Sequence, residues 1–245
     1  MIKYDDVLRT FYSTKINDQH YFSGFGTKAL GDARSTSNIQ NFFSQNSVRY
    51  KTLITLEQIH SSNVTVLDKG SSEQLMKIEE TDGVITNLEQ NIITVQTGDC
   101  IPIIFVHKKS GIIGISHQGW RGSLKRLQQK MVKKMAELGA DKSSIVIAIG
   151  PSINDCCYHI EEERYYDFLE EFNGYSDKIF YFRGGKRYLN LPLLNSLLLK
   201  DVGIKSENID FFPFCTSCDK DRFFSYRRDK GKEYGEMASF ILKNQ

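Results

Sequence analysis

The sequence predicts an α/β or α+β protein built on a mixed sheet, and three observations carry this. Short runs rich in β-branched residues recur along the chain, apolar residues at helical spacing alternate with them, and two strand-like runs join through a tight turn. The tight turn excludes a strict βαβ series, whose parallel strands need long crossovers. In chain order, Ile39, Phe42 and Phe43 follow Ser/Thr/Asn capping candidates at 35–38 and predict a first helix. Strand signals cover 53–57, 64–67, 92–97, 101–106 and 112–116. Leu124, Leu127, Met131, Met135 and Leu138 share one helical face that ends at Gly139, a good residue for the left-handed position past a helix. A strand at 145–149 follows, then a helical face of Tyr165, Phe168, Leu169 and Phe172. Leu191, Leu194 and Leu198 predict another helix, with Asn190 as its cap, Pro192 in its first turn and Gly203 past its end. A strand at 209–212 precedes a last helical face of Met237, Ala238 and Ile241.

Composition narrows the function classes. Of 245 residues, 40% are hydrophobic and 25% charged, the balance of an ordinary globular chain with enough apolar material for a core. The 32 basic and 30 acidic residues leave a net charge of +2, which argues for neither a nucleic-acid partner nor an anionic membrane surface. The opening MIKYDDVLRTFYSTK is polar, and no run approaches the ~18 apolar residues of a membrane span. Five cysteines with no secretion signal read as reduced thiols, so the expected location is the cytoplasm. No repeat, low-complexity tract or flexible linker divides the chain, and a single domain over 1–245 is expected.

The hairpin gathers the first chemistry. Two apolar runs flank KKSG at 108–111, and a turn centred near Lys109 brings Cys100 and His117 to within about one residue of direct opposition. Side chains opposed on antiparallel strands lie about 5 Å apart, and diagonal ones about 7–8 Å. His60, at the polar end of LITLEQIH, would complete a His₂Cys set, the three-ligand pattern of an open metal site. A Cys/His nucleophile pair and plain structural residues are the competing readings. CTSC at 215–218, together with the Cys156–Cys157 pair, suggests a four-cysteine zinc site. Adjacent cysteines rarely face one ion, however, and half-buried loop residues are the simpler reading. Arg121 lies in the first turn of the predicted 124–138 helix, where free amides and the dipole favour an anion; a surface arginine is the alternative. FFSYRRD at 223–229 offers Ser225, Arg227 and Arg228 to a cleft, with rings that a planar base could stack on. The basic 125–134 segment reads as the solvated face of an amphipathic helix.

Taken together these stretches resemble the YfiH-type family, described variously as peptidoglycan editing factor, multicopper polyphenol oxidase and laccase-domain protein. EQIHSSNV (57–64), TDGVITN (81–87), TGDCIPIIF (97–105), ISHQGWRGS (115–123), IAIGPSI (147–153), CT (215–216) and FFSYRRD (223–229) occur in family order. The resemblance implies a layered α/β sandwich with mixed sheets and a zinc site held by His60, Cys100 and His117. It also implies purine nucleoside phosphorolysis with adenosine deamination, on adenosine, inosine, guanosine or methylthioadenosine. The expected partners are therefore a purine nucleoside and phosphate, with neither nucleic acid nor membrane, in a monomer or homodimer. For deamination, zinc would activate a water for attack on adenine C6, with Asp99 or Glu57 as proton shuttle. For phosphorolysis, Arg121 with Arg227 or Arg228 would hold phosphate, alongside Lys28 and Ser225.

Two alternatives come with the same resemblance. One is a copper-dependent polyphenol oxidase; five histidines and no His-x-His pair speak against a multicopper centre, so zinc is expected over copper. The other is a cell-wall precursor editing factor whose role is hydrolytic or non-catalytic. Three positions depart from the family pattern. Gln118 stands in HQGWRG where HAGWRG is usual, Lys28 in GFGTKALGD replaces an arginine, and Glu236 in YGEMAS reverses the charge of a GRMAS-like segment.

Overall fold

IPIIFVH (Ile101–His107) and IIGISHQ (Ile112–Gln118) are buried at every position, which happens to a strand only when both faces of its sheet are covered. The computed structural model, which describes residues 1–230 and 234–245, shows what covers them. These two strands sit centrally in a six-stranded sheet whose order is Ile209–Phe211, Val146–Ile149, Ile101–His107, Ile112–Gln118, Gly83–Thr86 and Val64–Leu67. A seven-stranded sheet lies against it, in the order Ile2–Asp5, Thr10–Ser13, Tyr21–Phe25, Met237–Lys243, Asn91–Thr97, Thr52–Leu56 and Leu75–Ile78. Both sheets mix parallel and antiparallel pairs. A three-stranded ribbon, His159–Ile160, Lys186–Leu189 and Phe180–Arg183, stands apart from them.

Three apolar layers hold this stack. Between the sheets, Ile104, Val106, Ile113 and Ile115 meet Ile54, Ile93, Val95 and Ile241. On the outer face of the smaller sheet, Ile101, Ile103, Phe105 and Ile147 pack under helices Leu127–Glu137, Glu162–Glu171 and Leu191–Asp201. On the outer face of the larger sheet, Ile39, Phe42 and Phe43 of helix Thr36–Gln45 cover Leu53, Ile92 and Phe240. A fully buried side chain such as Phe43 contributes about 1.5–3 kcal/mol to such a layer. The architecture is thus the mixed α/β sandwich expected. Among the described residues no helix is long and apolar enough to cross a membrane.

Two predicted elements are corrected. Met237, Ala238 and Ile241 lie on a strand, Met237–Lys243, at the centre of the larger sheet. Met237 and Ile241 face the inter-sheet layer while Ala238, Phe240 and Leu242 face the outer helix. Burial on both faces removes the alternation that marks a strand, and the remaining spacing imitates a helix. The predicted 124–138 helix is two: Trp120–Leu124 and Leu127–Glu137, broken at Arg126, whose φ is +58°. The Arg126 guanidinium reaches across to Glu171 at 2.8 Å and stacks 4.9 Å over Phe172. The strands at 2–5, 10–13, 21–25, 75–78 and 83–86 lie outside the predicted set: IKYD, TFYS, YFSGF and LMKI hold at most one β-branched residue each, and GVIT opens on a glycine that reads as a turn.

Asp210 on the edge strand Ile209–Phe211 ties the start of the chain to the smaller sheet. It accepts from Ser13 Oγ at 2.6 Å and Lys15 Nζ at 2.8 Å, and pairs with the Met1 ammonium. Burial opposes its ionisation, but Lys15, the Met1 ammonium and Ser13 together hold its carboxyl below the usual carboxylate range. A depressed folded pKa contributes stability that is complete above the unfolded value of about 4 and is lost as pH falls through the folded one. Asp210→Asn is therefore expected to lower the urea midpoint at pH 7 and to lower it by clearly less at pH 3, below the unfolded value. A gap of equal size at both pH values would contradict the ion-pair account.

Candidate metal centre

The site forms where the chain passes between the two sheets. Strand Thr52–Leu56 of the larger sheet leads to Val64–Leu67 of the smaller, Leu75–Ile78 to Gly83–Thr86, and Asn91–Thr97 to Ile101–His107. These connections carry His60, Asp82 and Cys100 to one rim. His117 closes the set from the end of strand Ile112–Gln118. It pairs with Pro102 and continues the row of Ile113 and Ile115, so its ring enters the gap between the sheets. The left-handed backbone of His60 (φ +57°) and Asp99 (φ +79°) shows how sharply the connections bend.

The ligand atoms of His60, Cys100 and His117 lie within 4.8 Å of one another, and the two imidazoles meet edge to face with centroids 4.8 Å apart. His117 is buried, Cys100 half-buried and His60 exposed, so the cluster opens on one side. Burial would keep Cys100 a thiol, but the neighbouring imidazoles of His117 and His60 bring it down to about 7. Burial would likewise keep His117 neutral, yet the Cys100 sulfur and Asp82 push it up to about 10. A pocket that favours a thiolate beside a positive charge is suited to a divalent cation, which replaces the proton shared between them.

Asp82 organises the set. Its fully buried carboxylate accepts from the His60 amide (3.1 Å), the Ser61 amide (2.6 Å), the Ser61 hydroxyl (2.7 Å) and His117 Nδ1 (2.8 Å). Burial opposes its ionisation, but His117 and Ser61 hold its pKa below the ordinary value. A carboxylate offers no proton here, so His117 carries its hydrogen on Nδ1 and turns Nε2 toward Cys100 and His60. This carboxylate–histidine pair is the outer support that metal-binding imidazoles normally have. The donor set and its support fit a metal ion. Sequence reading missed Asp82 because an acid before glycine in TDG reads as a turn residue; only the pairing of Gly83–Thr86 with Ile112–Gln118 brings it beside His117.

The other expected site residues divide. Asp99 is buried next to Cys100, where its carboxylate accepts from Thr216 Oγ1 (2.6 Å), Ser225 Oγ (3.0 Å) and the Arg227 amide (2.6 Å). Asp99, Ser225 and Arg227 are therefore brought together as one hydrogen-bonded unit. Ser225 also caps the short helix Tyr226–Asp229. Arg228 is committed to the carbonyls of Thr216, Ser217 and Phe223 and to Asp229. Lys28 donates to the Lys220 carbonyl and lies 5.2 Å over Phe224. Glu57 is half-buried as a residue with its side chain reaching solvent, the carboxylate accepting from Lys77 Nζ and the Glu80 amide at 3.2 Å each.

Arg121 is exposed on the five-residue helix Trp120–Leu124, its guanidinium 4.3 Å over the Trp120 ring. Arg164, absent from the sequence reading, stacks on the same ring at 4.2 Å, its buried Nε without a hydrogen-bond partner among the described residues. Trp120 itself packs against the helix-side core. Of the departures from the family pattern, Gln118 is a packing residue, fully buried and donating to Gln128 at 2.7 Å. Glu236 is half-buried with its Cγ 3.6 Å from where a Gly98 Cβ would sit. Burial pushes its carboxyl up, against the pull of His117, Arg34 and His60.

A family model described as multi-copper polyphenol oxidoreductase laccase matches residues 18–244. Purine nucleoside phosphorylase CA_C1699 of Clostridium acetobutylicum is 31% identical, over 98% of this chain and 93% of its own. Adenosine deaminase RL5, from an unknown prokaryotic organism, is 32% identical over 72% of this chain and 70% of its own. The crystal structure of the Bacillus licheniformis hypothetical protein YfiH superposes with a TM-score of 0.81 at 25% identity, covering 91% of this chain and 93% of that one.

Gly119 packs against the open cluster. A Cβ there would stand 3.1 Å from His60 Cδ2 and 3.2 Å from Cys100 Sγ, closer than unstrained contacts allow. Gly119→Ala is expected to displace both ligands and weaken metal affinity by about tenfold or more, read by competition with a chromophoric chelator. Unchanged affinity would mean that His60 and Cys100 do not share the ion.

Proposed function

The chain belongs to the multi-copper polyphenol oxidoreductase laccase family, and from that premise we propose that it is a zinc-dependent purine nucleoside phosphorylase that also deaminates adenosine. The observation that carries the reading is the open three-ligand cluster of His60, Cys100 and His117, buttressed by Asp82. One thiolate and two imidazoles form a donor set that zinc accepts with a position to spare. The names of the relatives, purine nucleoside phosphorylase and adenosine deaminase, support the two reactions. When bound, zinc supplies Lewis-acid chemistry: it polarises an oxygen and lowers the pKa of water.

The remaining work falls to side chains around the opening. Arg121 and Arg164 stack on Trp120, and Arg227 lies 5.4 Å over the ring of buried Tyr158 while donating to the Cys157 carbonyl. This group of cations serves phosphate, with Arg164 replacing Arg228, whose donors are already taken. Neutralising phosphate next to the ribose favours the positive charge that develops as the glycosidic bond breaks. Asp99 fixes the approach to Cys100 through Thr216, Ser225 and the Arg227 amide. Proton transfer during deamination falls to Glu236, which is half-buried at Gly98, in preference to the solvent-facing Glu57.

Zinc-loaded protein given adenosine is expected to release adenine only with phosphate, and to form inosine with or without it. His60→Ala is expected to lose both products. Arg164→Ala is expected to raise the phosphate KM roughly tenfold, the effect of one lost charge-assisted hydrogen bond, and to leave inosine formation near wild type. Chromatography of the products checks all three. Copper content with phenol-dependent oxygen uptake, and neither adenine nor inosine, would overturn the reading.

A further inference from the structure

Outside the His60–Cys100–His117 centre lies a second concentration of metal-binding chemistry. Cys156 and Cys157 come from the loop after strand Val146–Ile149, and Cys215 and Cys218 from the loop after Ile209–Phe211. We propose that these four cysteines form a tetrathiolate zinc site that fastens the two loops together. The four sulfurs lie within 4.8 Å of one another, with Cys157–Cys218 at 3.3 Å and Cys156–Cys218 at 3.5 Å. Sulfurs placed tetrahedrally around zinc at about 2.3 Å are separated by about 3.8 Å, so the set is close to that geometry. A disulfide joins two sulfurs at about 2.05 Å and needs one preferred pair. Here Cys218 is nearly equidistant from two partners, and all four sulfurs are mutual neighbours.

The local backbone explains how adjacent cysteines face one point. The Cys157 and Tyr158 amides both donate to the Asn154 carbonyl, and this tight turn rotates consecutive side chains to one side. The Asp219 amide donates to the Cys215 carbonyl, so CTSC also closes a turn, with the Cys-x-x-Cys spacing common to zinc sites. The Asn154 amide donates to Cys215 Sγ at 3.4 Å, a bond of the kind that orients a thiolate ligand. Thiolates select soft metals, and four in a tetrahedron select zinc. Binding exchanges the four thiol protons for one Zn²⁺ and leaves the cluster at a net charge of −2, with the Arg227 guanidinium nearby on the Cys157 carbonyl.

The position gives the site its purpose. Between Phe211 and Met237 the only regular element among the described residues is the four-residue helix Tyr226–Asp229, yet this stretch supplies Thr216, Ser225 and Arg227 to Asp99. Thr216 follows Cys215 directly, and its amide donates to the Ser152 carbonyl across the same junction. A metal holding both loops would therefore order the hydrogen bonds that place Asp99 and, through it, Cys100.

The test uses the full chain under reducing conditions, with zinc and cobalt(II) as probes. Elemental analysis is expected to find two zinc ions per chain in the wild type and one in each of Cys156→Ser, Cys218→Ser and His60→Ala. Cobalt(II) titrated into the His60→Ala protein is expected to give the intense thiolate charge-transfer and tetrahedral d–d bands of a four-sulfur site. That spectrum decides the question even if a cysteine variant fails to fold. A single zinc in the wild type that His60→Ala abolishes would overturn the proposal. So would free alkylation of all four cysteines in zinc-loaded protein, or a disulfide among them that persists under these conditions.

Discussion

The buried carboxylate of Asp82 is the constraint on which the rest of the centre depends. An ionised group with no exposure to water is costly unless its oxygens are fully engaged, and Asp82 meets that condition with four donors. Three of them lie in the His60–Ser61 bend, and the fourth is the ring of His117. The His117 amide in turn donates to the Asp82 carbonyl at 2.7 Å. Satisfying one carboxylate thus fixes the left-handed bend at His60, the end of strand Ile112–Gln118 and the choice of imidazole nitrogen. Asp99, next to Cys100 in the chain, anchors its own stretch through Thr216, Ser225 and the Arg227 amide. The two acids act on backbone and ring orientation, which is how a rim made of loops attains the precision of a rigid element.

The legible part of the sequence was the part governed by local pattern. Asn190, Pro192 and Gly203 mark their helix as the structure has it, with the Asn190 side chain accepting from the Leu193 amide. The mixed sheet followed from short strands interleaved with helices and joined by a hairpin, while the layered sandwich was implied only by the family resemblance. The hairpin is instructive because its register was read slightly wrong and its consequence still holds. His117 pairs with Pro102, so Cys100 lies diagonal to it, two residues beyond direct opposition. Displacement by two preserves the face of the sheet, where displacement by one would have reversed it. What was illegible came from long-range pairing. Asp82 reaches His117 only through strands thirty residues apart in sequence, roughly, and Arg164 reaches Trp120 only through helix packing. The C-terminal strand was masked by burial on both faces, and the Arg126 break by a φ angle that no apolar spacing encodes.

The departures from the family pattern separate in the same way. Gln118 alternates away from the cluster and belongs to the helix-side packing, so its neighbourhood to a ligand in sequence has no counterpart in space. Glu236 lies within the electrostatic reach of His117 and His60, so its departure from the family pattern does have a counterpart in space. Gly122, beside Arg121 in the short helix, is a packing position, since a Cβ there would meet the Ser61 carbonyl at 3.2 Å. Side-chain identity near a site therefore says little until the face it occupies is known.

Through its bond to Nδ1, Asp82 leaves Nε2 of His117 facing Cys100 and His60, where the proposed metal would bind. Long-range ¹H–¹⁵N correlation of histidine-labelled, zinc-loaded protein tests this directly. The account predicts that His117 shows a protonated Nδ1 and a metal-coordinated Nε2, in slow exchange with solvent. Coordination through Nδ1, or a His117 spectrum that does not change on addition of zinc, would contradict it.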